Sequence, residues 1–307
     1  IKEMVLCNAA PLLIGENPLL HEQLFDKLYW GLTPKGQTGI GMHSISAIDI
    51  ALWDIKGKAL NMPIYQLLGG ARDKCQIYAT FGFGVYDRNA LAEAATAWQE
   101  AGFNALKMTV ANGGLKRRDE PRPLTGLIEE DVRRVASVRE AIGSHAELFI
   151  DANSSLDLFH ARELCRQLEP YNIAFFEEPI TQNDIPAMAD LRAHTSIRLA
   201  CGQNEAQTYR FRDMLIAKAV DILQPNAAIS GGFTQCVKIA ALADSFNISV
   251  DNGGAWPFAN MHLQAGVSNG GLVEYHASSV DACRQIYTGL PEVKDGLVMT
   301  QACSPWP

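Results

Sequence analysis

One rhythm constrains this chain more than any other feature. From about Gln76 onward, short β-rich apolar runs that end in polar residues alternate with longer segments of helical period. The expected strands are Gln76–Val85, Ala105–Val110, Glu147–Asn153, Ile173–Pro179, Ile197–Gln203, Val220–Asn226, Asn247–Gly253 and Leu272–His276. Helical patterns lie between them at Ala90–Ala101, Glu129–Ile142, Leu156–Leu168, Phe211–Ala219 and Thr234–Phe246. Alternation of this kind implies parallel strands joined by right-handed crossovers. Eight strands in one run favour a closed α/β barrel of the TIM type over an open doubly wound sheet. No GxGxxG follows the first strand, as a dinucleotide-binding sheet would need. With 307 residues, 48% of them hydrophobic, the chain can bury the core such a barrel requires.

The first 70 residues do not follow this rhythm. Met42–Leu60 reads as a helix with Ile45, Ile48, Ala51, Leu52 and Ile55 on one stripe, and Leu68-Gly69-Gly70 punctuates the passage onward. We expect residues 1–70 to form a partial, mainly helical remnant of a capping domain, and residues 71–307 to form the barrel with a C-terminal segment. Ala111–Thr125, rich in Gly, Arg and Pro, reads as a long loop after the second strand.

Charge and cysteine content narrow the partners. Asp and Glu number 34 against 26 Lys and Arg, and no basic run appears, which argues against a nucleic-acid partner. The seven cysteines are scattered and form no CxxC pair, as expected of reduced, mostly buried thiols rather than a disulfide or zinc framework. No apolar stretch reaches the ~20 residues needed to span a bilayer, and Ile1-Lys2-Glu3-Met4 opens no signal-peptide pattern. The expectation is a cytoplasmic protein with no membrane partner.

In such a barrel the C-terminal strand ends converge on one mouth. Asp151, Glu177 and Gln203 stand 26 residues apart in succession, at matching heights on consecutive strands. Two carboxylates and an amide oxygen suit a hard cation such as Mg²⁺, although acids at strand ends also cap the helices that follow. Lys107 is a single lysine in an apolar strand, costly to bury unless paired. In the mouth it would bind a carboxylate, or take a proton if its pKa is lowered. His276 follows Glu274 and can line the mouth, whereas His262 reads as a satisfied structural residue.

Phe149-Ile150-Asp151-Ala152-Asn153, Phe175-Phe176-Glu177-Glu178-Pro179 and Gly202-Gln203-Asn204-Glu205 resemble the mandelate racemase and muconate lactonizing group of the enolase superfamily. Gln224-Pro225-Asn226, Ser230-Gly231-Gly232, Leu272-Val273-Glu274 and the helix Ala47–Asp54 extend the resemblance along nearly the whole chain. It implies Mg²⁺ and removal of a proton α to a carboxylate, with the resulting enediolate stabilised by metal and nearby cations. Carried over by position, Asp151, Glu177 and Gln203 are the metal ligands. Asn153, Glu274, Thr109 and Asn226 contact substrate, and Lys107 is the catalytic group.

Four positions depart from the family pattern. Gln203 stands where the third ligand is normally Glu, and Thr109 replaces the second lysine of Lys-x-Lys. Asn226 replaces the Asp of an Asp–His dyad, whose His falls near Gly253. Racemisation needs proton acceptors on opposite faces of the α-carbon and is disfavoured with Thr109 and Gly253 there. The leading expectation is a homo-oligomeric Mg-dependent lyase or isomerase acting on a small hydroxy-carboxylate, foremost an acid-sugar dehydratase, with Asp251 or His276 as substitute acid/base. The alternatives are a racemase or cycloisomerase of the same family, a catalytically decayed or binding-only paralogue, and a Schiff-base lyase using Lys107.

Overall fold

The computed structural model describes residues 1–111 and 124–300. Most of the expected loop over 111–125, together with residues 301–307, lies outside them. All eight expected strands form: β1 Lys74–Phe81, β2 Ala105–Thr109, β3 Glu147–Asp151, β4 Ile173–Glu177, β5 Leu199–Cys201, β6 Ile222–Leu223, β7 Ser249–Val250 and β8 Val273–His276. β3, β4 and β8 carry Asp151, Glu177 and Glu274 within the strand, whereas Asn153, Gln203 and Asn226 lie in the loops that follow β3, β5 and β6. Parallel pairing runs in order from β1 to β7, and β8 pairs with β1. The ring closes between β7 and β8 through a Val250–Gly270 bridge and the bond from Asn252 N to Leu272 O.

Side chains alternate across these strands with period two, and this alternation positions the mouth. On β2, Leu106 and Met108 face the outer core, while Ala105 shares an inner cluster with Tyr78, Phe149, Phe175, Ala200 and Ile222. Phe149 and Phe175 stack at 4.1 Å between centroids, with Tyr78 edge-on at 5.4 Å from Phe149. These rings fill the barrel below the mouth. The next inward positions above them carry Lys107, Asp151 and Glu177.

The two longest helices before the barrel are α1 His21–Leu32 and α2 Ile40–Leu60, with short helical segments on either side of them. Around the barrel run α3 Arg88–Glu100, α4 Leu124–Ile142, α5 Leu158–Leu168, α6 Ile185–Ala193, α7 Gln207–Ile216, α8 Gly232–Asp244, α9 Pro257–Gly266 and α10 Ala277–Ile286. A hairpin, β9 Val293–Lys294 and β10 Leu297–Met299, lays β10 antiparallel on the start of β1. Among the described residues no helix is long and apolar enough to cross a membrane.

The stripe expected on α2 is corrected by the structure. Ile45 and Leu52 are buried, but Ala51 and Ile55 face solvent, and the buried side includes Ser46, Asp49 and Trp53. These polar groups are buried because they cap α8 from outside it. Ser46 Oγ accepts from Gly231 N, and the Asp49 carboxylate accepts from Thr234 N and Thr234 Oγ1. Trp53 Nε1 donates to the same hydroxyl at 3.0 Å. An anion at a helix N-terminus satisfies free N–H groups and the helix dipole together. Gly232 has φ +74°, and a Cβ there would overlap the Asp49 carboxylate.

Two measurements test this junction. Gly232→Ala should cost roughly 2–4 kcal/mol of unfolding free energy, by overlap and backbone strain together. Burial pushes the Asp49 carboxyl up to about 7, despite the opposing hydrogen bonds from Thr234 and Phe233. A folded-state pKa above the unfolded one contributes stability that is full below about pH 4 and is lost as pH rises through about 7. Asp49→Asn cannot ionise, so urea unfolding from about pH 5 to about pH 8 should show the variant gaining on the wild type. Parallel curves would show that Asp49 is ionised throughout.

Candidate functional site

The strand ends enclose a cavity of about 210 Å³. Of the expected site residues, Thr109, Asp151, Asn153, Gln203 and Glu274 line it, and His276 does so too. Sequence reasoning missed Thr80, Phe83, Gly254 and Ala255, which complete the wall. Thr80 had a signal, since it occupies an inward position at the end of β1. Asn153 follows β3 with φ +48°, a conformation asparagine tolerates, and its N–H donates to Asp151 Oδ1 at 2.8 Å. The Thr109 hydroxyl donates to Gly82 O at 2.7 Å.

Lys107 and Glu177 lie beneath this wall, almost without solvent exposure. Lys107 Nζ sits 2.6 Å from Glu177 Oε2, 2.9 Å from Glu274 Oε1 and 3.4 Å from Asp151 Oδ2. Burial alone would strip its proton, but Glu177, Glu274, Tyr78 and Asp151 outweigh that effect and hold the ammonium well above the ordinary lysine range. The lowered pKa needed for Lys107 to accept a proton is therefore not met.

The three carboxylates differ. Burial raises Glu177 far above the carboxylate range, with Asp151 and Glu274 adding to the rise against the pull of Lys107. Asp151 is raised by burial as well. Burial also acts upward on Glu274, but Lys107, the Thr80 hydroxyl and the Ala255 N–H overcome it and keep this carboxyl low. Glu274 is the fixed anion of the set.

Burial disfavours the charged forms of Asp151 and Glu177, and a divalent cation between them would stabilise both as anions. Glu177 Oε1 is buried with no hydrogen-bond partner, as an oxygen reserved for another ligand would be. Gln203 Nε2 donates to Glu178 Oε2 at 2.9 Å, and its Oε1 lies against Gly254. Asp151, Glu177 and the Gln203 carbonyl are all oxygen donors and fit a hard cation such as magnesium. Among the described residues no group of three or more His, Cys, Asp or Glu is arranged as a metal cage.

Two expected residues lie elsewhere. Asn226 is buried behind the mouth, where its Nδ2 donates to Gly253 O and Gly254 O and its Oδ1 accepts from Ala228 N and Asn260 Nδ2. Its amide is spent on bracing the loop after β7, so it presents nothing to a substrate. Asp251 turns toward β8 and accepts from Leu272 N; burial raises it to about 6. It does not line the cavity and cannot substitute as the base there. His262 is buried as expected, but neither ring nitrogen has a partner, and burial drops it to about 4. His276 meets Phe83 at 5.4 Å between ring centroids, and its Nδ1 lies 2.8 Å from Ser278 Oγ.

Residues 89–303 match the family model described as enolase C-terminal domain-like. Residues 1–69 match the mandelate racemase/muconate lactonizing enzyme N-terminal domain. An arabinonate dehydratase from Saccharolobus solfataricus is 30% identical over 292 residues, covering 93% of this chain and 74% of the relative. A D-galactonate dehydratase from Ralstonia pickettii is 36% identical over 242 residues, covering 78% of this chain and 60% of the relative. Among solved structures, L-talarate dehydratase from Polaromonas sp. JS666, complexed with Mg and L-glucarate, superimposes with a TM-score of 0.84 at 30% identity. That match covers 95% of this chain and 77% of the solved one. By both domain models and by these similarities, the chain belongs to the mandelate racemase/muconate lactonizing enzyme group of the enolase superfamily.

Proposed function

We propose that this protein is a magnesium-dependent dehydratase of a small acid sugar. The observation that carries the reading is the buried Lys107 ammonium shared by Asp151, Glu177 and Glu274 beneath a polar cavity. Magnesium held by Asp151, Glu177 and the Gln203 carbonyl would supply Lewis-acid stabilisation of the charge that develops on a substrate carboxylate. The dehydratases among the relatives and solved structures support the substrate class.

The chain's own residues divide the remaining work. Lys107 stays protonated and offsets developing negative charge without moving a proton. Glu274, held as an anion, accepts a hydrogen bond from a substrate hydroxyl. Asp151, Glu274 and His276 are the ionisable side chains on the described cavity wall, and the first two are committed to cation and anion roles. His276 is therefore the acid/base. One such imidazole can take the α-proton and then protonate the departing hydroxide. Elimination needs one group of this kind, whereas racemisation needs two on opposite faces.

A second reading is favoured by one observation: Thr109 and Gly253 occupy both usual base positions, and Gln203 a ligand position. It is a barrel that binds sugar acids without turning them over. Incubation of aldonic and aldaric acids with Mg²⁺ in D₂O separates the two readings. The dehydratase should exchange the α-proton and release water, and His276→Gln should slow exchange on the order of 10²–10⁴-fold. Undiminished exchange in that variant would remove His276 from the role. Saturable binding with no exchange would favour the binding barrel.

The fixed charge of Lys107 carries its own prediction. Lys107→Met leaves the buried Glu274 anion without its counter-ion and should cost roughly 3–5 kcal/mol near neutral pH without metal. The cost should shrink as acid protonates Glu274. A pH-independent loss in urea unfolding would assign the effect to packing.

A further inference from the structure

Gln203 poses a question that the metal reading leaves open. An amide offers a cation one useful atom, its oxygen, and a half-turn of the side chain would present the NH₂ group instead. The structure supplies what prevents that turn. Glu178, directly after Glu177, is 1% exposed and adopts φ +42°, left-handed for a residue with a side chain. Its backbone is pinned on both sides, N–H to Ala200 O at 3.0 Å and C=O from Ser154 N at 2.7 Å. Its carboxylate gathers amide donors only: Asn183 Nδ2 at 2.9 Å, Asn204 Nδ2 at 2.9 and 3.1 Å, and Gln203 Nε2 at 2.9 Å. A carboxylate accepts and does not donate, so it selects the NH₂ side of Gln203. The Gln203 oxygen is thereby turned the other way, against Gly254, where a Cβ would come within 3.0 Å of it.

We propose that Glu178 is a positioning residue that locks the Gln203 amide with its oxygen toward the mouth, so that a neutral side chain serves as the third donor to a divalent cation. The inference rests on the metal reading above and deepens it. Gln203 and Glu178 form a matched pair. A glutamate at position 203 would present an oxygen in either orientation and would need no such lock.

The pair can be tested without turnover, by calorimetric titration of Mg²⁺ alone into four proteins: wild type, Glu178→Gln, Gln203→Glu and the double variant. Glu178→Gln should weaken Mg²⁺ binding on the order of 10–100-fold, as loss of an orienting partner does. In the Gln203→Glu background the same change should leave Mg²⁺ affinity nearly unaltered, because a carboxylate needs no orienting partner. A residue that only braced the loop would weaken binding in both backgrounds, and that result, or equal affinity for wild type and Glu178→Gln, overturns the positioning role while leaving the metal reading intact. No Mg²⁺ binding to wild type or to Gln203→Glu overturns both. A readout on the wild-type fold stands apart from these variants: the Gln203 side-chain amide signal, identified by its loss in Gln203→Glu, should be protected from solvent exchange without metal. A freely exchanging Gln203 amide would also overturn the proposal.

Discussion

A lysine ammonium buried among three carboxylates is the interaction on which the site depends. Isolated in the barrel, Lys107 would lose its proton, and Asp151, Glu177 and Glu274 would each hold one. The carboxyl groups hold the Lys107 proton and the ammonium lowers each of them, but unequally, since each carboxylate opposes the ionisation of its neighbours. Glu274, with a hydroxyl and a backbone N–H besides the ammonium, is the settled anion, whereas Glu177 keeps one oxygen without a partner. The aromatic layer of Tyr78, Phe149 and Phe175 makes this possible by closing the barrel below the cluster, and Lys107 lies 5.3 Å from the Tyr78 ring. Removing that layer would admit water and weaken every charge–charge term above it.

Much of this was legible in sequence because strand geometry is periodic. Eight apolar runs with polar ends predict eight strands, and the 26-residue spacing of Asp151, Glu177 and Gln203 places three oxygen donors at one level. The charge state of Lys107 was not legible, because it depends on distances across the barrel rather than along it. Asn226 and Asp251 were misread for a related reason. A polar residue at a strand end serves substrate or loop according to which way the chain turns next, and in both cases it turns to bind backbone. The same ambiguity shifted the face of α2, whose buried Ser46 and Asp49 interrupt the apolar stripe because their partner is a distant helix end.

The α2–α8 junction ties the first helices to the barrel by polar specificity as well as apolar contact. Residues 46, 49 and 53 on one side meet 231, 232 and 234 on the other, and Gly232 is needed because the carboxylate occupies the place of its missing side chain. The helix so capped follows β6, and the loop before it carries Asn226 and Ser230. Ser230 in turn donates to Glu205 O, two residues past Gln203. A capping interaction outside the barrel thus reaches the backbone that carries a ligand candidate.

The strand order has a consequence for how the chain is made. β1 is flanked on one side by β2, but on the other by β8 and β10, about two hundred residues later in the sequence. During synthesis the first strand therefore emerges with one edge complete and the other bare, and it stays so until nearly all of the barrel has left the ribosome. Closing loops of that length is entropically costly, and strand pairings far apart in sequence are slow to form. An open half-barrel with an exposed edge is also the species most prone to pair with a neighbouring chain. The late hairpin β9–β10, only a few residues long, covers Lys74, Cys75 and Gln76 at the start of β1 and completes the edge that has waited longest.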